Sequence, residues 1–92
     1  MIRTIRHRGL KRYWTKNESG GISADWLVRI TMILDRLNAS KTPKDMDLPG
    51  FHFHALKGDA KGRYSVRVSG NFRITFGWHD DDAIDVDLEV YH

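Results

Sequence analysis

The chain has no cysteine and only two prolines among its 92 residues. The absence of cysteine excludes a disulfide scaffold, a thiolate zinc site and a cysteine nucleophile. No apolar run approaches the ~18 residues of a membrane span, and the N-terminus lacks the apolar segment of a signal peptide. We therefore expect a cytoplasmic protein without a membrane segment.

The rest of the composition is that of a packed globular domain. Hydrophobic residues make up 40% of the chain and charged residues 29%, which predicts a folded protein and not a disordered tail. Because a domain takes about 100–200 residues, we expect residues 1–92 to form a single one.

Acidic residues are scarce in the first half of the chain. Residues 1–44 hold ten Lys/Arg and three Asp/Glu (+7), whereas residues 45–92 hold five and nine (−4). This asymmetry favours a polyanionic partner such as nucleic acid, although many basic helices are simply solvated. The basic residues expected to contact RNA in this half are Arg6, Arg8, Lys11, Arg12 and Lys16.

Apolar periodicity predicts helices in the first half. Residues 1–6 are expected to form a short edge strand, and residues 7–17 a basic helix with apolar side chains at i, i+3 and i+4. The best helix prediction covers residues 24–39, with Ser23 as its N-cap. Pro43 is expected to begin one further helical turn.

The second half changes to a period of two residues. Residues 51–56 are predicted to form a strand, followed by a turn, a hairpin over 63–78 and a last strand over 84–90. The predicted fold is α+β: a short N-terminal strand, two helices, then a three- or four-stranded antiparallel meander with the helices packed on one sheet face. The side chains expected to share the apolar face of the last strand are Ile84, Val86, Leu88 and Val90.

The same alternation collects polar side chains on the open sheet face. The expected set is His54, Lys57, Arg63, Arg67, Arg73, Tyr91 and His92. These cations, imidazoles and phenol suit phosphodiester cleavage of RNA, in which His, Lys or Tyr moves protons and Arg or Lys holds the phosphate oxygens. The set lacks an obvious carboxylate base. Arginine on an open sheet face is also an ordinary solvated neighbour.

A metal site is the weaker interpretation of the histidines. His52 and His54 are expected to share a strand face and could be half of such a site, together with His79 or His92. No second cluster with ligand spacing supplies the rest, so we expect neither a metal nor a cofactor.

Four segments, in order and over nearly the whole chain, resemble one toxin family. They are MIRTIRHRGL at residues 1–10, HALKGD at 54–59, YSVRVSGNFRITF at 64–76 and YH at 91–92. They are similar to the HigB-like ("plasmid maintenance system killer") branch of the RelE/ParE superfamily of bacterial toxin–antitoxin modules, and the resemblance implies a RelE-like fold.

The resemblance also implies an activity and partners. It implies a ribosome-dependent mRNA endonuclease that acts in the A site by attack of the 2′-hydroxyl, with no metal or cofactor. It implies a helix-turn-helix antitoxin, so that promoter DNA is reached only through that partner.

The resemblance also implies which residues of this chain form the site. His54, Lys57, Tyr91 and His92 match the catalytic positions of the branch, and Arg73 matches the phosphate-binding arginine of the superfamily. RNA-contacting residues are expected at Lys61, Arg63, Arg67 and Asn71.

The proton-transfer roles stay open. His54 or His92 is expected to be the general base, with Tyr91 or the other histidine as the acid. The branch usually ends in Asp-Tyr-His, whereas residue 90 here is Val, so that Glu89 is a candidate to orient His92 instead.

Two alternatives stay open. One, suggested by Val at residue 90, is a catalytically degenerate toxin that only binds its antitoxin or RNA. The other is a ParE-like inhibitor of DNA gyrase, because the same fold serves both activities.

Overall fold

Two helices precede a four-stranded antiparallel sheet, as expected. The computed structural model describes residues 1–90, so Tyr91 and His92 lie outside the described residues. The helices are α1 (Arg8–Lys16) and α2 (Leu27–Ala39), and the strands, in sheet order, are β1 (His54–Ala55), β2 (Arg63–Ser69), β3 (Phe72–His79) and β4 (Asp82–Val90). None of the helices in the described part is long and apolar enough to cross a membrane.

Helix α1 follows its predicted limits closely. His7 is the N-cap, and its Nδ1 accepts a hydrogen bond of 3.1 Å from the N–H of Leu10. Asn17 ends the helix in the left-handed conformation, at φ 58°. Leu10 is fully buried, whereas the charged residues of α1 stay exposed, so that the helix presents a basic outer face.

The second predicted helix is divided in two. Its first turn, Ala24–Trp26, is a 3₁₀ turn, and the α-helix begins at Leu27. Ser23 precedes the turn, but its side chain makes no capping hydrogen bond. The α-helix buries one side against the sheet through Ile30, Ile33, Leu34 and Leu37.

One face of the sheet forms the core with these helices. Its fully buried side chains are Val66, Ile74, Phe76, Ala83 and Val86. The ring of Trp26 packs on Phe72 with the ring centroids 4.4 Å apart. The helices therefore cover this face, and the opposite face is left for polar side chains.

Residues 1–6 run parallel to β4 without forming a regular strand. Ile2 bridges to Ala83 and Ile5 bridges to Val86. Between these two bridges, Asp85 has a φ of 50°, which takes the backbone of β4 out of the extended conformation. The expected edge strand is thus reduced to two bridges because its partner strand is bent.

The predicted strand over 51–56 is also shorter than expected. His52 has a φ of 49°, so the extended backbone is confined to His54–Ala55. His52 and His54 therefore do not share a strand face, contrary to the prediction. Phe51 is buried, and its carbonyl still accepts a bond of 2.8 Å from the N–H of Arg67.

A bulge in β4 changes which side chains face the core. Gly77 pairs with Ile84, but Thr75 pairs with Asp87, so β4 has an extra residue between these pairs. The positive φ of Asp85 accommodates this extra residue in β4. Ile84 consequently lies on the open face beside Gly77, and its predicted place on the apolar face with Val86 is wrong.

The carboxylate of Asp45 stabilises the start of the 3₁₀ turn Pro43–Met46. Asp45 Oδ2 accepts hydrogen bonds from the backbone N–H groups of Lys41, at 2.8 Å, and Thr42, at 3.0 Å. These two bonds favour the charged form and lower the pKa of Asp45 below its ordinary value.

We expect Asp45→Ala to lower the free energy of unfolding at neutral pH but not in acid. Because the folded pKa of Asp45 lies below the unfolded one, its contribution is fully present above the unfolded value and is lost as pH falls through the folded value. Urea unfolding near pH 7 and at about pH 2 measures the difference. Asp47→Ala, at an exposed carboxylate two residues along, is the control. An Asp45→Ala effect that is equal at both pH values would contradict this prediction.

Candidate active site

The strand register brings polar side chains from all four strands onto the open sheet face. Directly paired residues of antiparallel strands point to the same side of the sheet. One row across the sheet contains His54, Ser65, Thr75 and Asp87. The next row contains Arg67, Arg73 and Glu89.

A cleft of about 340 Å³ opens on this face. The polar residues that line it are Lys57, Ser65, Arg73, Thr75 and Glu89. An adjoining hollow of about 260 Å³ shares Lys57 and Arg73 with the cleft and adds His54. The structure thus brings together three of the five predicted catalytic residues, while the other two, Tyr91 and His92, lie outside the described residues.

The connection from β1 to β2 forms one wall of the cleft. Lys57 follows β1 and precedes the 3₁₀ turn Gly58–Ala60, and both Lys57 and Ala60 line the cleft. Gly58 has a φ of 66°, which a residue with a Cβ adopts with difficulty. The N–H of Leu56 donates a bond of 2.8 Å to the carbonyl of Arg63, which holds this connection against β2.

Arg73 occupies the centre of the charged row. It is half-buried on β3, with Arg67 directly across on β2 and Glu89 directly across on β4. Arg73 lines both the cleft and the hollow, and its Nε and Nη1 are buried. Arg73 therefore lies on the same cleft as Lys57 and directly across from Glu89.

A chain of hydrogen bonds holds the carboxylate of Glu89. Arg63 Nη2 donates to Thr75 Oγ1 at 2.9 Å and to the carbonyl of Asp85 at 2.9 Å. The Thr75 hydroxyl lies 2.5 Å from Glu89 Oε2. Because a guanidinium only donates, Thr75 accepts from Arg63 and directs its own hydrogen at Glu89.

Arg63 supports the site from beside the cleft. Burial lowers the pKa of Arg63, and the positive charge of Arg6 lowers it further, whereas the carboxylates of Glu89, Asp85 and Asp87 raise it. Its guanidinium binds groups of the sheet itself, and Arg63 is not among the described residues that line the cleft.

The other residues predicted to contact RNA lie on two surfaces. Lys61, Arg67 and Asn71 are exposed and flank the cleft face without lining the cleft in the described part. The carbonyl of Arg67 accepts hydrogen bonds from Arg29, which also donates to the carbonyl of Gly50. A separate groove along α1, here called the basic groove, contains Arg6, Arg8, Lys11, Arg12 and Lys16.

One residue of this site is absent from the predicted open-face set. The set contains no carboxylate, and the sequence suggests Glu89 only as a group that orients His92. Glu89 has the same parity along β4 as Asp87, so the alternation already put it on a polar face. Its proximity to Thr75 and Arg73 had no signal in the sequence because it depends on the pairing of β3 with β4.

The histidines do not assemble a metal centre in the described structure. His79 Nε2 lies 3.4 Å from Asp80 Oδ2, both on the surface. Within residues 1–90, no three His, Asp or Glu side chains come together as a group that could hold a metal ion.

Comparison with known proteins identifies the family. Residues 3–92 match the family described as the RelE-like toxin of type II toxin-antitoxin system HigB. The chain belongs to this HigB-like toxin family. It is 33% identical over 92 residues to Endoribonuclease HigB of Proteus vulgaris, with all of both chains covered. The resemblance seen in the sequence is thereby confirmed.

Solved structures of other toxins share the fold of this HigB-like toxin. A copper-bound mutant toxin from Helicobacter pylori superposes with a TM-score of 0.55 at 21% identity, covering 98% of this chain and 94% of that one. A YafQ mutant from E. coli gives a TM-score of 0.50 at 15% identity, covering 96% and 92%. The predicted RelE-like α+β fold is confirmed, and membership in a type II toxin–antitoxin family gives this toxin an antitoxin partner.

Proposed function

We propose that this HigB-like toxin is a ribosome-dependent endoribonuclease that cleaves mRNA in the A site. The observation that carries the proposal is the grouping of His54, Lys57 and Arg73 around the hollow that adjoins the cleft. It is supported by the relative from Proteus vulgaris, which is named as an endoribonuclease and matches over its full length. The attacking group is the 2′-hydroxyl, and the products are a 2′,3′-cyclic phosphate and a 5′-hydroxyl.

The charges of the cleft suit this reaction. The phosphorane that forms during the attack carries more negative charge than the starting phosphodiester. Preorganised cations stabilise such charge most strongly, which is the role of Lys57 and Arg73. His54, the imidazole that lines the adjoining hollow, is proposed to transfer a proton. Tyr91 and His92 complete the proposed catalytic set.

RNA is held by residues outside the cleft. Lys61, Arg67 and Asn71 are exposed around the cleft face and are proposed to contact the strand on either side of the cleaved phosphate. Arg63 is proposed to act on RNA indirectly, through Thr75.

The antitoxin is proposed to be a helix-turn-helix protein that binds promoter DNA. In this arrangement the toxin reaches DNA only through its partner. The toxin itself works in the cytoplasm, where ribosomes supply its substrate.

A purified translation reaction tests the proposed function. Primer extension on a reporter mRNA is expected to reveal new 5′ ends with the wild type and ribosomes, and none without ribosomes or with Lys57→Ala. No cuts with the wild type would overturn the proposal. Inhibition of DNA gyrase would then indicate the ParE-like alternative, and binding of RNA or antitoxin alone would indicate a degenerate toxin.

The basic groove is proposed to bind ribosomal RNA. Its five cations are exposed, four of them on α1, whereas Arg6 precedes the helix and its Nη2 lies 3.5 Å from Asp85 Oδ2. Binding of phosphates releases counterions, so affinity for the ribosome should fall steeply with salt.

Lys11→Ala with Arg12→Ala is expected to weaken ribosome binding and to flatten its salt dependence. Each lost phosphate contact reduces the slope of log affinity against log salt by about 0.7–0.9. Sedimentation with ribosomes at several salt concentrations measures the slope. Lys41→Ala with Lys44→Ala removes the same charge from the turn after α2 and should leave the slope unchanged. Equal slopes for wild type and the Lys11/Arg12 variant would contradict a role of the basic groove.

A further inference from the structure

Glu89 is a carboxylate placed among the cations of the cleft. Of the described residues that line the cleft and the adjoining hollow, it is the one with an acidic side chain. Its strand partner is Arg73, and Lys57 lies on the same cleft. This anion therefore lies at a site that is proposed to accept the negatively charged backbone of RNA.

Binding of RNA does not account for this carboxylate. A negative charge near the phosphate opposes substrate binding, since like charges at short range repel. The chain nevertheless holds Glu89 in place through Thr75 and, behind it, Arg63. Thr75 is buried, with 4% of its surface exposed, so its hydroxyl is a fixed donor and not a mobile surface group. The Thr75 bond orients Oε2 of Glu89, and a carboxylate has a second oxygen that can also accept.

We propose that Glu89 is the general base that takes the proton of the attacking 2′-hydroxyl. This inference rests on the proposed endoribonuclease function and names the proton acceptor of the same site. Glu89 lines the cleft beside the cations proposed to hold the phosphate, which places a proton acceptor near the attacking 2′-hydroxyl.

The proposed step is balanced by groups already at the site. The 2′-hydroxyl gives its proton to Glu89, its oxygen forms a bond to phosphorus, and the bond from phosphorus to the 5′-oxygen breaks. The leaving 5′-oxygen takes a proton from the imidazolium of His54, which lines the hollow on the other side of Lys57 and Arg73. The cyclic phosphate and the 5′-hydroxyl are formed without any further reactant.

Asp87 provides a matched control for Glu89. It lies on the same strand and on the same face, two residues away. It is not among the described residues that line the cleft, and its Oδ1 accepts a bond of 2.9 Å from the N–H of Leu88. Asp87→Asn and Glu89→Gln therefore remove the same charge from neighbouring points of β4.

The first test separates the cleavage rate from substrate binding. In single-turnover cleavage on ribosomes, Glu89→Gln is expected to reduce the maximal rate about 100- to 10,000-fold, the usual contribution of acid–base catalysis. Its apparent affinity for the ribosome–mRNA complex should be unchanged or tighter, because the repelling charge is gone. Asp87→Asn should keep the wild-type rate. A wild-type rate for Glu89→Gln, or a parallel loss of rate and affinity, would overturn the inference.

The second test distinguishes a base from an acid. An mRNA with sulfur in place of the 5′-bridging oxygen has a leaving group that needs no protonation. We expect this substrate to restore cleavage by His54→Ala but not by Glu89→Gln. If this substrate also restored cleavage by Glu89→Gln, Glu89 would act on the leaving group, which would contradict its proposed role as the base.

Thr75 is a positioning residue in this scheme. Thr75→Val keeps the shape of the side chain but removes the hydroxyl, and is expected to lower the maximal rate with little change in affinity. Thr75→Ser should recover the rate, which a purely packing role of Thr75 would not produce.

Different results would contradict the proposed endoribonuclease function and the assignment of Glu89 as its general base. If the wild type makes no cuts on ribosomes, the proposed function itself fails. If the wild type cuts and Glu89→Gln cuts equally well, only the assignment of Glu89 fails. Because Glu89 is exposed, its substitution is not expected to unfold the chain, which thermal unfolding of each variant verifies.

Discussion

Arg73→Ala is expected to slow the maximal rate of mRNA cleavage about 100- to 1,000-fold, the effect of removing one preorganised donor to a developing charge. The arginine is half-buried on β3, opens onto both the cleft and the hollow, and sits across from Glu89. In the proposed reaction its charge stabilises the negative charge that increases at the phosphate. Single-turnover cleavage with saturating toxin on programmed ribosomes measures the loss.

The strand partner of Arg73 provides the comparison. Arg67→Ala removes the same charge directly across on β2, from an exposed side chain outside the cleft lining. We expect it to raise the apparent KM while leaving the maximal rate close to that of the wild type. Arg73→Lys should restore only part of the rate, since an ammonium cannot reproduce the planar two-point contact of a guanidinium. Equal rate losses in the Arg67→Ala and Arg73→Ala variants would contradict a special role for Arg73.

Gly9→Ala is expected to destabilise the fold by about 3 kcal/mol, at the upper end of the usual cost of overpacking. An added Cβ at Gly9 would lie 2.5 Å from the carbonyl oxygen of Gly21 and 3.0 Å from the ring of His7. The neighbour is backbone, so the loop before α2 or the start of α1 must move. This expected loss of stability is opposite to the usual effect of a glycine-to-alanine substitution, because alanine in a helix interior is ordinarily more stable than glycine by about 0.5–1 kcal/mol.

Gly20→Ala is the control for this close approach. A Cβ at Gly20 meets no atom within 4 Å, although the residue belongs to the same loop as Gly21. Urea unfolding is expected to show a lower midpoint for Gly9→Ala and a midpoint near that of the wild type for Gly20→Ala. A Gly9→Ala variant as stable as the wild type would mean that α1 and the loop do not pack as closely as described.

Local patterns were sufficient for most of the secondary structure. The helical periodicity of α1 is carried by side chains three and four residues apart, and the predicted range of 7–17 matches Arg8–Lys16 with its two caps. The hairpin of β2 and β3 was also predictable from the sequence, because its side chains alternate between the two faces from Arg63 to Arg67, and the register shifts only beyond Arg67, next to the turn.

Single backbone conformations limited the predictions elsewhere. His52 and Asp85 adopt positive φ values, and the local sequence does not predict this conformation at either residue. After His52 the strand begins late, at His54, and at Asp85 the alternation changes phase, so that Ile84 joins Gly77 on the open face. Parity arguments assume a continuous extended chain and fail at such points.

The sequence by itself determined the fold class, the two helices and the candidate set of His54, Lys57 and Arg73, since periodicity and short motifs are local properties. The tertiary structure decided which of these polar groups meet. It brought Glu89 opposite Arg73 and joined it to Arg63 through Thr75. These contacts depend on the register between β2, β3 and β4, which is set by side-chain packing and hydrogen bonding between strands and cannot be read from any one segment.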